Sequence, residues 1–391
     1  LNRPPTARVK LSFNDPRVRS VVYQALVIGG VGLAGWYLVS NTLANLEIRK
    51  ISTGFGFLNR ESGFSIGESL IPFDPSHSYA RALAVGILNT LRVAVVGIVL
   101  ATLLGTLIGI SRLARNWLIA KAASVYVEVM RNVPLLVQLL FWYALIRENL
   151  PIPRAALNPL PGVFLSNRGI EMPIPEAHPV HDSMLVAFLI GGLASWLLYR
   201  WARRRQNLTG QQFPAITAGI GLVLGLPLVV FVVGGSPVAM DVPELRGFNF
   251  VGGATLSPEF AALLIGLVAY TAAFIAEIVR GGVLAISHGQ SEAASAVGLR
   301  RGQTLRLVIL PQALRVIIPP LTSQFLNLTK NSSLAVAIGY PDLVSIANTA
   351  INQTGQAIEG IAIIMAVYLT VSLSISAFMN WYNRRIALKE R

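Results

Sequence analysis

The sequence has no cysteine. Disulfides, thiolate metal sites and cysteine nucleophiles are thereby excluded. Charge is scarce as well: Asp, Glu, Lys and Arg make up 13% of the 391 residues, against about 25% in an average soluble domain. Of the two signs the acidic one is rarer, 18 residues against 32 basic ones, for a formal net charge of +14. There is no glycine-rich loop ending in Gly-Lys-Ser or Gly-Lys-Thr, the cradle that nucleotide phosphates need. No acid/base pair, nucleophile or metal constellation suited to a membrane-embedded enzyme is apparent, so no catalytic residue and no metal site are assigned. His178 and His181, beside Glu176 and Asp182 in a proline-rich loop, are too little to make a metal site.

What is present is apolar. Hydrophobic residues make up 53% of the chain and arrive in blocks of about 20, the length that crosses a bilayer core of about 30 Å. Eight blocks are expected to span: Ser20–Asn41, Val85–Ile110, Ser124–Ile146, Ser183–Arg200, Pro214–Gly234, Pro258–Ile278, Gln312–Ile338 and Ile358–Trp381. The pattern predicts an all-α, multi-pass membrane protein. The first block is too long for the apolar region of a cleaved signal and lacks a small-residue cleavage site, so it is expected to stay as a span. Trp36, Trp142, Trp196, Trp201 and Trp381 fall near block ends, as interfacial anchors do.

Basic residues cluster in every second loop: Arg3, Arg8, Lys10, Arg17 and Arg19; Arg112, Arg115 and Lys121; Arg200 and Arg203 to Arg205; Arg300, Arg301 and Arg306; Arg384, Arg385, Lys389 and Arg391. Positive loops stay in the cytoplasm. Both termini are therefore expected there. Topology accounts for the net charge, and no nucleic-acid partner is implied. The outward loop from Leu150 to Asp182 holds seven prolines. Proline interrupts the helical ladder, so this loop is expected to be an ordered non-helical excursion or a flexible surface loop.

The loop after the sixth block carries the most information. Ser291 to Val297 suits a short helix of small residues, and Gly298 suits the left-handed residue that ends one. A second short helix, Gly302–Leu310, is expected to stop at Pro311. Such a helix–glycine–helix knob fits a groove on a partner; it equally fits a connecting loop whose arginines meet lipid headgroups.

The order Glu292-Ala293-Ala294, then Gly298, then Leu310-Pro311-Gln312-Ala313 and Pro319-Pro320 resembles the EAA loop of ABC importers of the histidine/glutamate/glutamine permease family. Leu88-Asn89-Thr90-Leu91, Glu128-Val129-Met130-Arg131-Asn132-Val133-Pro134, Glu277-Ile278-Val279-Arg280-Gly281 and Lys330-Asn331-Ser332-Ser333 resemble further pieces of that family in the same order. The likeness covers about 86–146 and 258–383. Family members are commonly half this length, and the longer form resembles one permease of general L-amino-acid importers.

The resemblance divides the chain into a tail, extra span and outer loop at 1–83, a first core part at 84–146, an insert with two spans at 147–253 and a second core part at 254–391, with the EAA loop at about 285–312. It implies a permease subunit that forms the path for polar or acidic L-amino acids such as glutamate, aspartate, glutamine and asparagine. Implied partners are a second, shorter permease, two ATPase subunits and a periplasmic amino-acid-binding protein. ATP and magnesium would be bound by the ATPases and no cofactor by this chain. Coupling to the ATPases falls on Glu292, Ala293, Ala294, Gly298, Leu299 and Arg300.

Charged groups inside spans are costly and mark function. Glu128 with Arg131, and Glu277 with Arg280, are each spaced i, i+3 on one helix face. They either hold the inner end of the path closed or are local ion pairs. Arg92 and Lys330, with Asn327, Asn331, Ser332 and Ser333, lie toward the outer half. They either meet a substrate carboxylate and ammonium or serve structure. A self-contained secondary carrier or channel is the alternative, but an ion-driven carrier often shows related halves, and no repeat is seen.

Overall fold

The computed structural model describes residues 16–48 and 53–386. Of the basic tail residues, Arg3, Arg8, Lys10, Lys389 and Arg391 lie outside the described residues. The chain forms two compact units, one of residues 1–92 and 341–391 and the other of 93–340. The described residues contain seven helices long and apolar enough to cross a membrane, or eight if one bent pair is counted as a span.

In the larger unit, α7 (Pro258–Leu284) is the central element; Ser257 caps it by accepting the Phe260 N–H at 3.0 Å, and Pro258 sits in its first turn, where no N–H is needed. The second half of α2 (Tyr79–Ser111) lies on α7 through Gly105 and Gly109. A Cβ on Gly105 would stand 2.6 Å from Ile275, and one on Gly109 would stand 2.8 Å from the Ala276 carbonyl. Glycines four apart let two backbones approach closely. Ala101, Ile275, Val279, Ala313, Ile317 and Leu328 fill one core cluster; Val93, Leu139, Phe260, Leu263, Leu267 and Tyr340 fill another.

The expected span Ser124–Ile146 is not one helix. It is α3 (Trp117–Asn132) and α4 (Leu135–Asn149), bent by 104°. Pro134 cannot donate to the ladder and pushes Val133 into the extended region. The buried Gln138 amide closes the break by donating to the carbonyls of Met130 at 2.9 Å and Val133 at 3.0 Å. Tyr126 pins α3 to α7 by donating to the Ala269 carbonyl at 2.8 Å.

The insert folds as a helical hairpin, α5 (Pro179–Thr209) and α6 (Ala215–Val233), flanked by short strands. The proline-rich loop is ordered: β1 (Leu157–Leu160), β2 (Val163–Ser166) and β3 (Gly169–Met172) form an antiparallel sheet, closed by β8 (Ala254–Leu256) from beyond the hairpin. Two small ribbons pair β4 (Ile174–Pro175) with β5 (Met240–Asp241), and β6 (Glu244–Arg246) with β7 (Asn249–Val251). Glu171 is buried in this sheet, accepts from Thr255 at 2.5 Å, and is pushed up from the ordinary carboxyl range by burial. His178 caps α5 through its Nδ1, which accepts the Val180 N–H at 3.2 Å.

After α7 come α8 (His288–Ala296), α9 (Arg301–Thr304) and α10 (Leu310–Asn331). Pro311 does not stop the chain. It falls in the first turn of α10, and Leu305–Ile309 just before it winds as a π-helix. The wider turn relieves the clash and lost hydrogen bond that a proline brings to a tight ladder. In the smaller unit, α11 (Leu343–Thr354) packs against α12 (Ala357–Ile386) and, through Leu343, against Gly86 in the first half of α2. The helix α1 (Pro16–Ile48) belongs to this unit and buries none of its apolar window.

Candidate functional site

The loop between α7 and α10 is built as a knob. Helix α8 ends with Gly298 at φ +82°, as its small size allows. Gly298 N–H bonds the Ser295 carbonyl at 2.9 Å and Leu299 N–H the Ala294 carbonyl at 3.1 Å, the paired bonds that close a helix on glycine. Ala294 is buried, and Glu292, Ala293 and Gly298 are exposed. The Arg300 N–H donates to the Gln303 side chain at 2.9 Å, which starts α9. The Gln312 amide donates to Gln290 and to the Val308 carbonyl, both at 3.1 Å, and so ties the two arms together. The knob presents an acid, a glycine corner and the bare apolar side chains of Val297, Leu305 and Leu307.

Glu277 is the hub of a charged cluster. Arg112 at the end of α2 donates to one carboxylate oxygen, Arg280 contacts the other at 3.1 Å, and Arg131 of α3 lies 3.8 Å away. Arg112 also reaches Ser124 at 3.4 Å, and Arg131 stacks over the Phe274 ring at 5.1 Å. Three helices are thus gathered on one carboxylate, and two positive charges are left over. Glu128 takes no part: it is exposed, and Arg131 reaches across to Glu277 instead of along its own helix. Arg112 is the member that i, i+3 spacing did not reveal. The basic cluster after the second apolar block was its only sequence signal.

The outer candidates separate. Arg92 belongs to the smaller unit, where it pairs with Glu68 at 2.5 Å. The other five lie in the larger unit. Ser332 is buried, and its hydroxyl donates to the Thr329 carbonyl at 2.7 Å; the Ser333 hydroxyl donates to the Lys330 carbonyl at 2.8 Å. Both hydroxyls are engaged in ending α10. Asn327 and Lys330 are exposed, and Asn331 is half-buried.

One residue went unread in the sequence. Asp342 lies between the spans and is buried, and it caps α11 by accepting the Ser345 N–H at 2.8 Å. Its other oxygen has no hydrogen-bond partner among the described residues. Burial pushes its carboxyl up to about 7. Beside it, Thr90 of α2 accepts the Leu343 N–H at 3.1 Å. An acid directly after Gly339-Tyr340-Pro341 was the available hint. No group of three metal-ligating side chains occurs among the described residues.

Residues 97–388 match the family described as binding-protein-dependent transport system inner membrane component. The chain is 52% identical over 379 residues to the general L-amino acid transport system permease protein AapQ of Rhizobium johnstonii, covering 96% of this chain and 94% of that one. It is 49% identical over 392 residues to the putative amino-acid ABC transporter permease protein YhdX of Escherichia coli, covering 100% of both. It is 42% identical over 423 residues to the glutamate/glutamine/aspartate/asparagine transport system permease protein BztB of Rhodobacter capsulatus, covering 99% of both.

Proposed function

The chain belongs to the binding-protein-dependent transport system inner membrane component family, and on that premise we propose that it is the permease subunit of an ATP-driven amino-acid importer. The names of its full-length relatives point to polar and acidic L-amino acids, in a broad range that includes glutamate, glutamine, aspartate and asparagine. The observation that carries the reading is the exposed knob around Glu292, Ala293 and Gly298, joined to the end of α7 and the start of α10. Movement of a docked partner there would be passed directly to two spans.

The proposed assembly places the termini and the knob in the cytoplasm. Two ATPase subunits grip the knob and its counterpart on a second, shorter permease, and these subunits bind the ATP and magnesium. A binding protein delivers the amino acid on the opposite face. The Glu277 cluster locks α2, α3 and α7 together near the docking loop, at the inner end of the path. Arg92 is matched by Glu68 and the serine hydroxyls are engaged, so the candidates for substrate contact narrow to Asn327, Lys330 and Asn331. The α5–α6 hairpin is peripheral to that path.

The test is co-purification from native membranes in mild detergent, beside a Glu292→Arg/Gly298→Asp variant. ATPase subunits and a second permease should accompany the wild type, and the ATPases should be lost from the variant. A chain that purifies alone and still moves solute in liposomes would replace this reading with a secondary carrier.

A further inference from the structure

From Ser183 to Met240 the chain has no aspartate or glutamate. Arg200, Arg203, Arg204 and Arg205, at the turn end of the α5–α6 hairpin, therefore have no acid within the hairpin to offset them. None of the four enters an ion pair among the described residues. Three lie over aromatic rings one helical turn back: Arg200 over Trp196 at 4.7 Å, Arg203 over Tyr199 at 5.0 Å and Arg205 over Trp201 at 5.5 Å. Stacking orients a guanidinium and leaves its in-plane N–H groups available to an acceptor. Arg205 already donates to the Gln211 side chain at 2.8 Å, whereas Arg203 faces a cavity.

Between these residues and the start of α6 lies an open cavity of about 450 Å³, lined by Tyr199, Arg203, Gln206, Phe213 and Thr217 among others. The first turn of α6 forms part of the lining and has no side-chain cap, so its partial positive charge adds to that of Arg203. Trp201 meets Phe213 edge-on at 5.6 Å and closes one aromatic side of the turn. Beyond the cavity the hairpin is apolar and bare: Leu193 and Leu197 of α5 and Ile216, Ile220 and Leu224 of α6 are all more than half exposed.

A cationic pocket that opens onto an apolar helix surface fits a ligand with an anionic head and a hydrocarbon tail. We propose that the turn of the hairpin is a binding site for the phosphate of an anionic glycerophospholipid, with Arg203, which lines the cavity, as principal cation and the acyl chains lying along α5 and α6. A small soluble anion would match the arginines and leave the apolar surface uncovered. The site goes beyond the transport reading: it needs only that the hairpin sits in a bilayer.

The test is native mass spectrometry of the full chain, with whatever subunits accompany it, from membranes containing phosphatidylglycerol and phosphatidylethanolamine. Thermal-shift titration with short-chain phosphatidylglycerol runs beside it. The wild type should retain phosphatidylglycerol preferentially, and Arg203→Gln should weaken its binding by about fivefold. Arg246→Gln, in a distant ribbon, should leave binding unchanged. Should the glutamine variant fail to fold, Arg203→Lys keeps the charge and should keep the preference for the anionic lipid. Equal retention of phosphatidylethanolamine, unchanged affinity in Arg203→Gln, loss of preference in Arg203→Lys, or displacement of the lipid by millimolar inorganic phosphate would each overturn the proposal. Amino-acid uptake by the same variants separates this outcome from failure of the importer reading.

Discussion

Arg112 at the end of α2 donates to the carboxylate of Glu277 on α7, and that bond is the least exposed contact of a cluster in which one acid serves three arginines. Arg112 is 12% exposed, against 36% for Arg280 and 42% for Arg131. Removing the acid leaves three neighbouring cations unmatched, whereas removing one arginine leaves the acid still paired. Glu277→Gln should therefore be the most destabilising change, by about 2–4 kcal/mol given that the site is only partly shielded from solvent. Arg112→Gln should follow, with Arg280→Gln and Arg131→Gln each within about 1 kcal/mol of the wild type. Thermal unfolding in detergent checks the order, and equal effects across all four would remove the hub assignment.

The φ of +82° at Gly298 leads to a second expectation. Nothing stands within 4 Å of where its Cβ would be, so substitution is opposed by backbone conformation and not by crowding inside the chain. Gly298→Ala should distort or fray the end of α8 at a cost of about 1–2 kcal/mol, and Gly298→Asn should be tolerated better. Coupled ATPase activity of the purified complex should fall in the order glycine, asparagine, alanine, valine. Valine matching asparagine would show that the corner's conformation is immaterial.

At Gly105 the limit is crowding. A Cβ there would meet Ile275 at 2.6 Å and the Ala272 carbonyl at 2.8 Å, and neither a branched side chain near its backbone nor a helix carbonyl can yield cheaply. Gly105→Ala should separate α2 from α7 and cost about 1–3 kcal/mol. Gly192→Ala, with open space around it, should be neutral or slightly stabilising. Melting temperatures of the two variants make the comparison; a neutral Gly105→Ala would show that the two helices do not approach so closely.

Asp342 makes stability depend on pH. Burial raises its carboxyl from 3.8 to about 7, so the folded state holds a proton that the unfolded state releases. Its contribution is therefore neutral below the unfolded value, turns unfavourable as pH rises from about 4 to about 7, and stays so above that. Asp342→Asn keeps an oxygen to cap α11 and cannot ionise. The variant should match the wild type near pH 4 and exceed it at pH 8, by at most about 4 kcal/mol. A wild type that outlasts the variant at pH 8 would show a paired, ionised Asp342.

Lys330 and Arg92 should behave differently in uptake assays. Lys330 is exposed on α10, and Lys330→Ala should raise the KM for acidic amino acids more than it lowers maximal rate. Arg92 is held by Glu68 at 2.5 Å, so Arg92→Ala should lower thermal stability and leave KM within about twofold. The reverse pattern would return Arg92 to the substrate path.

Much of the architecture was legible because a bilayer imposes long apolar runs: seven of the eight expected spans correspond to single helices. Gly298 was legible too, since the motif and the left-handed corner make the same demand of one residue. The strands were not. They are two to four residues long, and β3 finds its partner β8 beyond an intervening helical hairpin, so no local alternation announces them. The Glu277–Arg280 pair was legible and is present at 3.1 Å, but the further partner Arg112 was not, for a related reason. Spacing within a helix nominates local partners such as Arg280, while Arg112 arrives from another helix.

The residue types by themselves determined that this chain lies in a membrane, which loops carry positive charge, and that it has no thiol chemistry and no glycine-rich nucleotide loop ending in Gly-Lys-Ser or Gly-Lys-Thr. Those properties depend on transfer free energies and side-chain chemistry, which do not need a neighbour. Tertiary structure alone decided that the third span breaks at Pro134, that Pro311 is absorbed by a π turn, that Arg92 is matched by Glu68, and that one carboxylate gathers α2, α3 and α7. Each of these is set by which group stands within a few ångströms of another, and distance across a fold is not encoded in any single segment.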